Sequence, residues 1–106
     1  LGEGLPFLLE RIDNRLKDNP TECITMKKGV KEYFRNNILV STSGNASKEA
    51  FECTKQVIGI DRMFIGSDMP YEKPEEMTVF LDSVSLTTEE REKLYFRNAE
   101  KLLGIK

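Results

Sequence analysis

Apolar residues recur at helical spacing along most of this chain, and two short continuous apolar runs interrupt the pattern. Leu5, Leu8, Leu9, Ile12 and Leu16 form one stripe, and Pro6 suits a first helical position. The spacing predicts a helix from about Pro6 to Lys17, with Arg11 and Arg15 one turn apart off the stripe. Lys17-Asp18-Asn19-Pro20 ends it. Met26, Val30, Tyr33 and Phe34 predict a second helix reaching about Asn36, weakened by Gly29. Ile38-Leu39-Val40 is β-favouring and predicts a buried strand that passes into a turn at Ser41-Thr42-Ser43-Gly44-Asn45. Ser47 can cap the next helix, which turns Ala50, Phe51, Val57 and Ile58 inward and stops at Gly59.

Arg62-Met63-Phe64-Ile65-Gly66 predicts a second strand, followed by Ser67-Asp68-Met69-Pro70. Pro74 opens a helix whose face is Met77, Phe80, Leu81 and Val84. Thr87-Thr88-Glu89-Glu90 holds the spacing of a capping box, and the helix it starts runs to Leu102-Leu103 before Gly104. Strands alternating with crossover helices imply parallel pairing and an α/β class. The strand-to-strand spacing of about 25 residues is close to the repeat of a (β/α)8 barrel. Parallel strands are apolar on both faces and need neighbours on both edges, and a stable sheet takes about four or more. Two strands therefore predict the closing part of a TIM barrel: about the last two βα units plus C-terminal helices, incomplete as a stand-alone domain. Residues 1–106 are expected to be the C-terminal segment of one barrel domain.

Composition narrows the chemistry. The 106 residues carry a net charge of −2 with dispersed basic residues, so no nucleic-acid footprint is visible. No apolar run approaches the roughly 18 residues of a membrane span. Histidine is absent, which removes any mechanism in which this chain alone supplies an imidazole. Cys23 and Cys53 match neither a zinc spacing nor a redox pair, and their scarcity favours a reducing, cytoplasmic setting. Cys53 shares a helical face with Ala50 and Val57 and is expected to be a buried small hydrophobe. The chain begins with Leu1 and not Met and shows no signal segment, so either its true start has been removed or these residues are part of a longer protein.

In such folds chemistry gathers at the C-terminal strand ends, here Ser41 to Asn45 and Ser67 to Glu72. Asp68 follows the second strand directly, placed to bind a divalent cation or take a proton. An aspartate there also serves as a turn former, and spacing alone leaves both roles open.

Four segments carry a resemblance. Leu1-Gly2-Glu3-Gly4-Leu5-Pro6-Phe7 with Arg11-Ile12-Asp13 is similar to the segment after the sixth barrel strand of the amidohydrolase-related proteins. That family includes aminocarboxymuconate-semialdehyde and γ-resorcylate decarboxylases. Ile38 to Asn45 resembles the seventh strand of the γ-resorcylate type, and Gly66-Ser67-Asp68-Met69-Pro70-Tyr71-Glu72 resembles the eighth. Asn98-Ala99-Glu100-Lys101-Leu102-Leu103-Gly104 resembles the family's C-terminal ending. The resemblance implies that Asp68 is catalytic and a ligand of a divalent metal, Zn²⁺ or Mn²⁺, whose other ligands lie outside this chain. It implies that Arg11 contacts the substrate carboxylate, often from the neighbouring subunit, and that Glu3 is an acidic substrate-site residue. The implied partners are a small carboxylate and a second copy in a homodimer or larger oligomer, with no nucleic acid and no membrane. The implied reaction is non-oxidative decarboxylation of a small, hydroxylated aromatic carboxylate. Alternatives are a metal-dependent hydrolase acting on a lactone or amide, and an inactive fragment or interaction module.

Overall fold

A computed structural model describes residues 1–19 and 25–105. Its elements, in order, are α1 (Leu5–Asp18), α2 (Val30–Asn37), β1 (Val40–Ser41), α3 (Lys48–Ile58), a 3-10 turn (Ile60–Arg62) and β2 (Met63–Phe64). There follow α4 (Pro74–Ser83), α5 (Thr88–Glu92), a π-helical turn (Lys93–Arg97) and α6 (Asn98–Leu103). Cys23, placed by the sequence in a polar linker, lies outside the described residues.

β1 and β2 pair in parallel, with Val40 opposite Met63 and Ser41 opposite Phe64. Thr42 prolongs the ladder beyond the formal strands. Its backbone N–H donates to the Phe64 carbonyl at 2.9 Å. Its hydroxyl donates to the Gly66 carbonyl and accepts from the Gly66 N–H, both at 3.0 Å. One buried hydroxyl, able to donate and accept at once, thus does the work of a further rung.

Side chains alternate across a strand, so Val40 and Met63 share one face and Ser41 and Phe64 the other. The first face is covered by helices. Val40 packs with Leu9 and Ile58, backed by Val30 and Phe34. Met63 joins a larger cluster with Phe51, Leu81 and Leu94, in which Phe51 and Phe80 meet edge to face at 6.2 Å. The second face is bare. Leu39, next along it from Ser41, is 39% exposed, and Ser41 itself is exposed. An apolar inner face left to solvent is what a sheet lacking its other strands presents.

The outer edge of β2 is closed by the C-terminal helical segment. Asn98, 7% exposed, donates from one amide nitrogen to the Ile60 carbonyl at 2.7 Å and the Met63 carbonyl at 2.8 Å. The Ile65 N–H donates to the Leu94 carbonyl at 3.2 Å, inside the π-helical turn.

The expected caps and helix faces are largely borne out. The Ser47 hydroxyl accepts from the Ala50 N–H, Thr87 and Glu90 form the reciprocal capping box, and Gly104 ends α6 at φ +64°. Met77, Phe80, Leu81 and Val84 are all buried. Four expectations need correction. On α1 the buried residues are Pro6, Leu9 and Asp13, while Leu5 and Leu8 are exposed because α2 and α3 cover a narrower strip than the apolar stripe. α2 starts at Val30, not Met26, since Gly29 is extended and occupies the N-cap. The first strand lies at Val40–Ser41, later than Ile38–Val40, because Ile38 terminates α2. Cys53 is half-buried, not buried, since α3 turns Phe51, Thr54 and Ile58 inward instead.

Candidate active site

Both strands end at the same level, and the polar loops that follow them meet there. Gly66 lies against Ser41 so closely that a Cβ at position 66 would overlap the Ser41 hydroxyl and come within 3.8 Å of the Ser43 Cβ. Glycine at this position leaves room for the Ser41 hydroxyl where it stands. Ser41 in turn donates to the Ser43 hydroxyl at 2.9 Å and accepts from the Ser43 N–H at 3.1 Å.

Asp68 stands two residues beyond Gly66, with an exposed side chain and φ of +67°. Its carbonyl accepts from the N–H groups of Tyr71 and Glu72, at 2.9 and 3.2 Å, which folds the loop back into a tight turn. Glu3 is also exposed and has φ of +53°. Among the described residues these two are the only non-glycine positions with positive φ. The left-handed region costs an L-residue about 1–2 kcal/mol, and such outliers cluster at functional sites. Glu3 reaches the site because Leu1 is pinned to the end of β1. The Leu1 nitrogen donates to the Ser43 carbonyl at 3.3 Å, and the Leu1 carbonyl accepts from the buried Thr54 hydroxyl at 3.0 Å. Leu1, Glu3, Ser41 and Ser43 accordingly line one cleft of about 240 Å³.

Arg11 sits two turns into α1, exposed, and makes no ion pair or side-chain hydrogen bond among the described residues. Its neighbour Asp13 behaves oppositely. Buried, it pairs with Lys17 at 2.7 Å and accepts weakly from the Lys31 N–H at 3.4 Å, at the start of α2. The hydrogen bond from Lys17 holds the Asp13 carboxyl below the ordinary range, against the opposing effect of burial. Asp13 therefore joins two helices, while Arg11 presents an unused guanidinium on the same helix.

The three sequence candidates are not linked to one another by any hydrogen bond or ion pair among the described residues. Glu3 and the Ser41–Ser43 segment are brought together, and the Asp68 turn follows from Gly66 beside them. Nor do the described residues contain a cluster of three or more His, Cys, Asp or Glu side chains able to hold a metal. Asp68 fits a metal as a single oxygen donor, one of the three or four that such an ion takes. Thr42 and Asn98 were not singled out as structural keystones by sequence reasoning. Thr42 gave no signal, standing among serines in a polar stretch, while Asn98 is an amide one turn after Leu94 and one turn before Leu102.

A family model described as Amidohydrolase matches residues 25–105. A γ-resorcylate decarboxylase from a Polaromonas species is 30% identical over 108 aligned residues, covering 99% of this chain and 32% of that protein. A Staphylococcus aureus protein solved as a candidate amidohydrolase superposes with a TM-score of 0.83 at 41% identity, covering 98% of this chain and 32% of its own. A dihydroxybenzoic acid decarboxylase from Polaromonas, solved with manganese and the inhibitor 2-nitroresorcinol, gives a TM-score of 0.82 at 28% identity, covering 97% of this chain and 31% of its own. The chain thus spans about a third of the length of the relatives it matches.

Proposed function

This chain belongs to the amidohydrolase family, and from that premise we propose that it is the C-terminal segment of one barrel domain in a metal-dependent enzyme that decarboxylates a small hydroxylated aromatic acid. The carrying observation is Asp68: an exposed carboxylate held in left-handed backbone immediately beyond β2, at the end of the strands where barrel chemistry gathers. The relatives named as resorcylate and dihydroxybenzoate decarboxylases support the substrate class.

Each residue then has a distinct part. Arg11, with its planar fork and no partner of its own, binds the substrate carboxylate in bidentate fashion, reaching it from a neighbouring subunit of a homodimer or larger oligomer. Glu3 lines the cleft beside β1 and accepts hydrogen bonds from the substrate's hydroxyl groups. Asp68 supplies one oxygen ligand to a divalent ion, with the remaining ligands outside this chain. When bound, that ion neutralises and orients the anionic substrate. Manganese in the Polaromonas structure favours Mn²⁺ over Zn²⁺ here. Asp68 also serves as proton carrier. A proton passes from its carboxyl oxygen to the ring carbon bearing the carboxylate. The bond from that carbon to the carboxylate then breaks, CO₂ leaves, and the bonding pair returns to the ring. No helix among the described residues is long and apolar enough to cross a membrane, and the cysteine usage fits a cytoplasmic enzyme.

The test is release of CO₂ from hydroxybenzoates by the full-length, metal-loaded protein. Turnover of a dihydroxybenzoate that is lost on adding a chelator is expected. Hydrolysis of a lactone or amide with no CO₂ release would overturn the decarboxylase reading.

A further inference from the structure

Asp68 is a non-glycine residue at φ +67°, and such a conformation persists only where the surrounding structure over-determines it. After Asp68 the determinant is local, since its carbonyl accepts from the Tyr71 and Glu72 N–H groups. Before Asp68 the determinants come from other elements. The Phe64 carbonyl accepts from the Thr42 N–H, and the Ile65 N–H donates to the Leu94 carbonyl. Gly66 is then held at both of its backbone polar groups by one atom, the Thr42 hydroxyl oxygen, at 3.0 Å each. Among the described residues, Gly66 is the last position before Asp68 that is hydrogen-bonded to another element. Thr42 is fully buried, so removing its hydroxyl sets a methyl group or a void against Gly66, not bulk water. The two Gly66 groups must then move to find partners, and that movement is delivered two residues from Asp68.

We propose that Thr42 is a positioning residue for Asp68, its hydroxyl fixing the backbone that carries the Asp68 carboxylate to the divalent ion. This rests on the reading that Asp68 is a metal ligand. A hydroxyl serves both Gly66 groups at once, donating to the carbonyl while accepting from the N–H. Valine matches the outline of threonine and can do neither, whereas serine can do both. Asn98 supplies the contrast. It also serves two backbone groups of this segment, the Ile60 and Met63 carbonyls, but at the start of β2 and not at its end. Loss of the Asn98 amide loosens the same strand without touching the stretch that leads into Asp68. If Thr42 only holds β2 in the sheet, the two residues are equivalent for the metal. If it places Asp68, they are not.

Titration of the full-length, metal-stripped protein with Mn²⁺ tests this, with the paramagnetic resonance signal of free Mn²⁺ as readout and circular dichroism as the check on folding. Thr42→Val should weaken Mn²⁺ binding about 10-fold, the lower end of the range for groups that orient metal ligands. Thr42→Ser and Asn98→Leu should each bind Mn²⁺ as wild type does. An unchanged affinity in Thr42→Val, or an equal loss in Thr42→Ser or Asn98→Leu, overturns the positioning role. Thr42→Ala removes the same two hydrogen bonds with a smaller side chain and repeats the test. Failure of both hydroxyl-free variants to fold, with Thr42→Ser folded, would make Thr42 a folding residue and overturn the role as well. Asp68→Ala separates the two readings. If it binds Mn²⁺ as tightly as wild type, the metal-ligand reading falls and this inference with it. If it loses the metal while Thr42→Val keeps it, only this inference falls.

Discussion

Glu3 and Asp68 each sit in a backbone region that glycine would occupy more cheaply. For Glu3 the left-handed penalty of about 1–2 kcal/mol outweighs the roughly 0.5–1 kcal/mol that glycine loses in conformational freedom on folding. Glu3→Gly should therefore raise the stability of the full-length protein by about 0.5–1 kcal/mol, visible as a higher denaturant midpoint, and lower its turnover. A destabilised Glu3→Gly variant would show that the side chain serves folding and not the site. Arg11 stands at the other extreme, helical and unpaired among the described residues. Removal of a charge-assisted contact worth about 1.5–3 kcal/mol predicts that Arg11→Ala raises KM roughly 10- to 150-fold with little loss of stability. Steady-state kinetics on the full-length enzyme check this, and an unchanged KM would remove Arg11 from the site. The place of Asp68, just past an apolar strand, was legible in the sequence, whereas Arg11 was singled out only by the family resemblance. The left-handed backbone beneath Glu3 and Asp68 was not legible, since nothing in either residue type demands it.

Elements here are held by polar side chains reaching across from other elements, and these were the hardest features to foresee. The Asn98 amide closes the edge of β2 by serving the Ile60 and Met63 carbonyls together. Asn98→Leu keeps the volume and strands both acceptors, at about 1–3 kcal/mol for each one left dry. Chemical denaturation should show a loss of that order, and a neutral substitution would mean that water replaces the amide. Asp13 links α1 to α2 through a carboxyl held below its ordinary range by Lys17. A depressed folded-state value gives stability that is present above the unfolded carboxyl value of about 4 and lost as pH falls through the folded value. Asp13→Asn should thus be less stable than wild type at neutral pH, with the gap closing below about pH 4. An acid unfolding series on both proteins measures the gap, and a constant difference across pH would contradict the linkage. Helix periodicity identified α3 and α4 well because their buried faces follow the apolar spacing. It overran on α1 and α2, where the apolar stripe extends past the surface that neighbouring helices cover and where Gly29 sets the start.

Taken whole, the molecule has one finished side and one unfinished side. Helices cover Val40 and Met63, yet Leu39 and Ser41 on the opposite face are exposed, on strands that have no further strand partners among the described residues. That asymmetry follows from continuous apolar strands too few to close a sheet, which is why the barrel class was readable from the order of elements alone. Asp68, which we propose as a metal ligand, stands exposed in the turn just beyond β2. The most direct measurement is the divalent-metal content of the purified full-length protein and its Asp68→Ala variant, by elemental analysis after removal of loose ions. Roughly one equivalent per chain in the wild type and a large loss in the variant, with the far-ultraviolet circular dichroism of the two unchanged, is the expected result. Equal metal content in the two proteins would contradict the assignment of Asp68 to the metal centre.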